Sequence, residues 1–242
     1  QAVSVIVPNK FHAPLAIKCL NAGKHVFCEK PPALSAPEVL EIIAAAKQAE
    51  RKVMFNFNNR ARPESQAMMK YVEQGQVGKI NSAQAKWIRR TGIPGFGGWF
   101  TTKAMSGGGP LIDLGVHVID LSLHLAGNPQ PQRVSGATYA NFGRRMQDYV
   151  YTNMWAGPPR FEGTCDVEDH ASALIRCAGG LTIEANVTWA MNVDEKHMSN
   201  GITVFGDKGG CFFPIFGKQF SIATEAAGRV AGEGIDCEVV DL

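Results

Sequence analysis

Residues 3–28 read VSVIVPNKFHAPLAIKCLNAGKHVFC, and their pattern decides the fold. The opening VSVIVP is rich in β-branched residues and reads as a buried strand. Residues 13–23 carry the apolar spacing of a short helix, with Gly23 as its C-terminal stop. HVFC, residues 25–28, is a second buried strand. Strand, helix and strand joined by short loops make a βαβ unit with parallel strands. Residues 35–52 read as a second helix, in which Ser35 and Glu38 have capping-box spacing. VMFNFN, residues 53–58, is a third strand. Alternation of this kind implies an open parallel sheet.

The pattern changes near Asn58. Residues 62–75 read as a helix ending at Gly75, and residues 81–90 as a strand. A glycine-rich loop then runs over residues 92–109, followed by a helix over 110–125. Beyond it the chain is strand-rich. One strand lies in 134–142. Two more flank Gly179 and Gly180, a two-residue hairpin signal. In residues 181–189, Ile183, Ala185, Val187 and Trp189 alternate with polar residues, as in a sheet with one face less buried. Residues 202–213 add another hairpin. The expected fold class is α/β. A partial parallel unit over residues 1–57 precedes an α+β domain over 58–242 with a mostly antiparallel open sheet.

The chain has 242 residues, 45% hydrophobic and 19% charged, with a formal net charge of +2. It contains no basic block or acidic tail, so neither a nucleic-acid groove nor a membrane surface is indicated. No apolar run reaches the ~18 residues of a membrane helix, and no signal peptide opens the chain. The cysteines, Cys19, Cys28, Cys165, Cys177, Cys211 and Cys237, form no C-x-x-C pair. They read as thiols of a reducing compartment, the cytoplasm, rather than as staples or a zinc site.

Residues 111–125 are apolar apart from Asp113, His117, Asp120, Ser122 and His124. On a helix the two acids and two imidazoles fall at i, i+4, i+7 and i+11, a stripe roughly 60° wide. Such a helix packs inside the protein with one edge on a wet cleft, because unpaired buried charges are costly. Asp113 and His117, nearest the glycine-rich entry, are the candidate site residues. Asp120 and His124 read as structural hydrogen-bonders. In open parallel sheets ligands bind beyond the carboxyl ends of the strands. The loop after the first strand carries Pro8, Asn9 and His12, and the loop after the second carries Glu29 and Lys30. Both lie on one sheet edge and are expected to converge. Trp99 and Phe100, in the glycine-rich loop, are candidate walls of a substrate pocket. Trp87, Trp155 and Trp189 read as core or cleft walls. Arg89–Arg90 and Arg144–Arg145 read as solvated basic pairs.

Residues 7–31, with the "EKP" at 29–31, resemble the second half of the nucleotide domain of the glucose–fructose oxidoreductase, inositol dehydrogenase and MocA family. The Asp113-x-x-x-His117 helix resembles that family's D-x-x-x-H helix, and YVEQGQVGKI and ITVFGDKGG fit its pattern. The resemblance implies a Rossmann-like nucleotide domain and a substrate domain with an open sheet. It implies NAD or NADP as cofactor and a sugar, inositol or related polyol as substrate. It makes Lys30 the catalytic-site lysine, with a cis bond to Pro31, and Asp113 and His117 the substrate-handling pair. Pro8, Asn9, His12, Glu29 and Lys30 are then cofactor-side residues, and Lys30, Trp99, Asp113 and His117 substrate-side residues. Two departures stand out. No G-x-G-x-x-G turn occurs in the 242 residues, so the chain resembles an internal fragment, inactive as it stands. Phe100 occupies a place where many members carry Arg, which puts substrate-anion contacts in doubt.

The expected chemistry is hydride transfer, with His117 as base, Lys30 stabilising alkoxide charge, and Asp113 orienting the substrate and favouring protonated His117. Two rival readings remain open. One is a metal-dependent hydrolase or isomerase, against which the ends of the stripe are about 16 Å apart at 1.5 Å per residue. The other is a non-catalytic sugar-binding or self-associating remnant. Self-association through the C-terminal sheet, as a homo-oligomer, is expected in either enzyme or remnant.

Overall fold

The computed structural model describes all residues except 146, 150–153, 218, 227–228 and 237–242. Cys237 therefore lies outside the described residues. The first unit holds strands β1 (Ala2–Val5), β2 (His25–Cys28) and β3 (Val53–Phe55), parallel and in the order β1-β2-β3. Helices α1 (His12–Asn21) and α2 (Ala36–Gln48) pack against the sheet and each other. Gly23, at φ +72°, lets the chain leave α1 at once for β2. Glu38 closes the start of α2 by accepting from the backbone N–H of Leu34 and Ser35 at 2.9 and 3.2 Å. A small core of Val5, Ala16, Leu20, Val26, Cys28 and Ile42 holds the layers together. The first strand is not buried on both faces, as its composition suggests. Ile6, just beyond it, is 71% exposed, because α1 and α2 cover one face only.

The second unit begins with α3 (Pro63–Glu73) and β4 (Ile80–Ile88). A short helix α4 (Lys103–Ser106) and α5 (Val116–Leu125) follow, then β5 (Pro131–Tyr139), β6 (His170–Cys177), β7 (Thr182–Thr188), β8 (Gly201–Gly206), β9 (Gly209–Pro214), β10 (Gln219–Ala226) and β11 (Arg229–Asp236). Among the described residues these strands form one sheet in the order β11-β10-β9-β8-β4-β7-β6-β5. Every pair is antiparallel except β4 with β7. Ala83 and Ala85 of β4 and Ile183, Ala185 and Val187 of β7 face inward, and α5 packs on them through Val118, Leu121 and Leu125. The turn between β6 and β7 has three residues, not two. Cys177 N–H donates to Leu181 O at 2.8 Å, and Gly179 and Gly180 both take positive φ.

Two details of this unit set up the site. The helix of the polar stripe does not begin as an α-helix. Leu111–Gly115 is a π-helical turn that runs into α5. Ahead of it, a Cβ on Gly109 would collide with the main-chain oxygen of Glu168, so only glycine fits there. The close approach made possible by that glycine is to backbone rather than to a ligand. The parallel pairing of β4 and β7, with Trp87 opposite Val187 and Ile88 opposite Thr188, brings the carboxyl ends of both strands to one place. The five described cysteines are free, and no helix among the described residues is long and apolar enough to cross a membrane.

Candidate active site

A cleft of about 650 Å³ opens between the carboxyl ends of the first sheet and the π turn. From the first unit, Pro8, Asn9, Glu29 and Lys30 line it. From the second come Trp99, Asp113 and His117. Sequence reasoning placed all seven at the site, and one cleft collects them.

Lys30 is the connection across the cleft. It leaves the end of β2, and its bond to Pro31 is cis. Its Nζ donates to Asp113 Oδ1 at 2.7 Å and to the Asp113 main-chain oxygen at 2.8 Å. That carbonyl is available because the π turn loosens the regular helical ladder around it. The second carboxylate oxygen, Oδ2, accepts from Trp189 Nε1 at 2.9 Å. Trp189 is 1% exposed, so this bond is deep in the core. Asp113 is thus held at three points and cannot rotate without losing a charge-assisted bond.

His117 lies one turn on, with its ring 5.8 Å from that of Trp87. Its Nδ1 is buried and makes no hydrogen bond. Burial first, then the Lys30 ammonium, push His117 from 6.5 down to about 4; the Asp113 carboxylate pulls the other way and is outweighed. Asp113 does favour the protonated ring, as expected, but burial and the neighbouring cations Lys30 and Arg89 outweigh it. His117 is a neutral imidazole at pH 7.

The strand-end residues brace one another. Asn9 is buried and donates through Nδ2 to Ser106 O at 2.8 Å. Glu29 accepts from Asn56 Nδ2 at 2.7 Å and from the Lys30 N–H at 3.2 Å. His12 is not brought to the cleft. It is fully buried, with its ring nitrogens 2.6 Å from Pro31 O and 2.9 Å from Val7 O, so it ties the two loops together from behind. The rest of the stripe leaves the site as well. Asp120 is gripped by Arg60 through bonds of 2.7 and 2.5 Å. His124 is not the hydrogen-bonder expected of it, since its Nδ1 has no partner.

Residues 65–211 match the model of the GFO/IDH/MocA C-terminal domain, and residues 1–57 match that of the oxidoreductase family's NAD-binding Rossmann fold. The chain belongs to the GFO/IDH/MocA oxidoreductase family. It is 32% identical over 215 residues to D-glucoside 3-dehydrogenase of Escherichia coli (strain K12), covering 88% of this chain and 59% of that protein. It is 31% identical over 194 residues to levoglucosan dehydrogenase of Pseudarthrobacter phenanthrenivorans, covering 78% of this chain and 49% of that protein. The structure of a levoglucosan dehydrogenase in complex with NADH and levoglucosan superposes with a TM-score of 0.81 at 25% identity, over 98% of this chain and 60% of the other. The chain thus spans less than two thirds of the length of these relatives.

In this GFO/IDH/MocA chain the cleft also holds a residue that sequence reasoning passed over. Arg89, read as half of a solvated pair, lines it beside Trp87 and Trp155. Phe100 lines it too, so the guanidinium of this cleft comes from the end of β4 rather than from the position after Trp99. Trp189 was read only as core or wall, with no hint of its bond to Asp113. The signal that could have found both is the pairing of β4 with β7: Arg89 and Trp189 each stand just past the end of one of two adjacent parallel strands. Metal ligation finds little purchase here. The carboxylate oxygens of Asp113 and Asp120 are taken by Lys30, Trp189 and Arg60. Among the described residues no group of three His, Cys, Asp or Glu could hold an ion.

Proposed function

We propose that the cleft oxidises a CH–OH group of a sugar, inositol or related polyol, with NAD or NADP as acceptor. On this reading residues 1–57 are the C-terminal part of the nucleotide-binding domain and residues 58–242 the substrate and oligomerisation domain. The observation that carries it is the 2.7 Å bond from Lys30 to Asp113, which joins the strand end of one unit to the polar helix of the other beside a neutral His117.

The residues fit the nicotinamide half of the cofactor. Ile6, Val7 and Pro8 offer an apolar edge of the cleft to a flat ring, and Asn9 and Glu29 stand at the same strand ends. The nicotinamide, when bound, supplies the hydride acceptor. His117 accepts the hydroxyl proton of the substrate, for which a neutral imidazole is the required state. The Lys30 ammonium, held in place by Asp113, lies where negative charge grows on the substrate oxygen and stabilises it. Trp87, Trp99 and Trp155 present aromatic faces to the apolar face of a sugar ring. The relatives support the substrate class, since two of them are named for a glucoside and for levoglucosan. Free thiols suit a cytoplasmic setting.

His117→Ala in the intact protein is expected to lower NAD(P)-dependent turnover of sugars and inositols at least a hundredfold, with substrate binding largely kept. A steady-state assay over a substrate panel reads this directly. Near-normal turnover in the variant would overturn the assignment.

A further inference from the structure

Arg89 lines the cleft without an ion-pair partner among the described residues. It follows β4, and the last residue of that strand is pinned by Asn200, which accepts from Ile88 N–H at 2.7 Å and donates to Ile88 O at 2.8 Å. The guanidinium has five N–H donors. Among the described residues they make one hydrogen bond, Nη1 to Gly92 O at 3.3 Å, and no ion pair. Its central carbon lies over the Trp87 ring, 5.4 Å from the ring centre, a cation–π contact that uses none of its N–H donors.

The other ionic groups of the cleft have their partners. Lys30 is paired with Asp113, whose second oxygen is held by Trp189. Glu29 accepts from Asn56 and from the Lys30 N–H. The charges that act on His117 are Lys30, Asp113 and Arg89, two cations against one carboxylate. Burial lowers the Arg89 pKa, and the Asp113 carboxylate, which raises it, repays only part of that cost. A part-buried, under-bonded guanidinium matches a carboxylate in a two-point contact.

We infer that Arg89 anchors a carboxylate of the substrate, so that the cleft takes a sugar acid, such as a uronic acid or its glycoside, in preference to the neutral sugar. This rests on the reading of the cleft as a sugar site. The hydroxyl to be oxidised lies at Lys30 and His117, and the acid group at Arg89.

The test is binding, followed by calorimetry and by the fluorescence of the cleft tryptophans. Methyl glucuronide is compared with methyl glucoside in the wild-type protein, Arg89→Gln and Arg89→Lys. The uronide is expected to bind tenfold to a hundredfold more tightly to the wild type, as for one charge-assisted pair. The preference falls to within twofold of unity in Arg89→Gln, survives in part in Arg89→Lys, and shrinks as salt is raised. Circular dichroism establishes that each variant is folded. Equal affinities in the wild type overturn the inference and leave the sugar-site reading standing, as does a preference that persists in Arg89→Gln. Failure of both ligands to bind sinks the two together.

Discussion

Protonating His117 in the folded protein charges a part-buried ring that lacks an acceptor for its buried Nδ1 and stands near two cations. In the unfolded chain the same ring takes its proton near 6.5. Between pH 6.5 and about 4 the unfolded state therefore binds a proton that the native state refuses. Native stability falls as pH drops through that window and is unaffected by this group above it. The loss from His117 alone is on the order of 3 kcal/mol by pH 4. Urea unfolding at pH 7 and pH 4.5 should show a smaller acid loss in His117→Gln than in the wild type. Equal losses would mean that the ring is freely protonated in the native state.

At the scale of the element, the π turn Leu111–Gly115 does two jobs: it frees the Asp113 carbonyl for Lys30 and sets the start of α5. Gly115 closes it in a closely packed spot. A Cβ there would stand 3.1 Å from Leu111 Cδ1 and 3.7 Å from Val187 Cγ2. Gly115→Val adds further carbons to that crowded spot, and overpacking of this kind costs about 1–3 kcal/mol. Chemical denaturation measures the loss, and a sugar-binding assay on the folded variant should show weaker binding as Asp113 shifts. A variant as stable as the wild type would show that the turn has room to spare. Asp113 and His117 were legible in the sequence, because i, i+4 spacing survives whether the first turn is α or π. The π turn itself was not, since nothing in LIDLG distinguishes the two windings. Lys30 was legible as a strand-end residue. Arg89 was not, because its neighbourhood depends on β4 pairing with a strand about a hundred residues later, and local pattern carries no information about that partner. His12 was placed on the correct edge but given the wrong direction. A helix's first residue can point behind the loop as readily as into the cleft.

At the scale of the molecule, the eight-stranded sheet carries α5 on one face and leaves the other open. Leu174 and Phe205 lie on the open face, 36% and 44% exposed, among residues such as Gln84 and Glu184. A homo-oligomer formed through this face is the proposed assembly. Light scattering of the wild type should then report more than one chain, and the double variant Leu174→Glu, Phe205→Glu should lower the mass toward that of one. A wild-type mass of a single chain at high concentration would count against it.

The two units are stitched by Asn9 to Ser106 and Lys30 to Asp113, with Arg60 of the connecting segment bound to Asp120. The middle stitch is also the pair proposed to act on the substrate. Any hinge movement that parts the units pulls the ammonium off the carboxylate and its carbonyl at once, and so disarms the centre. On the proposed reading, reaction requires the two units to stay joined at this bond, so a molecule parted there would be unable to react.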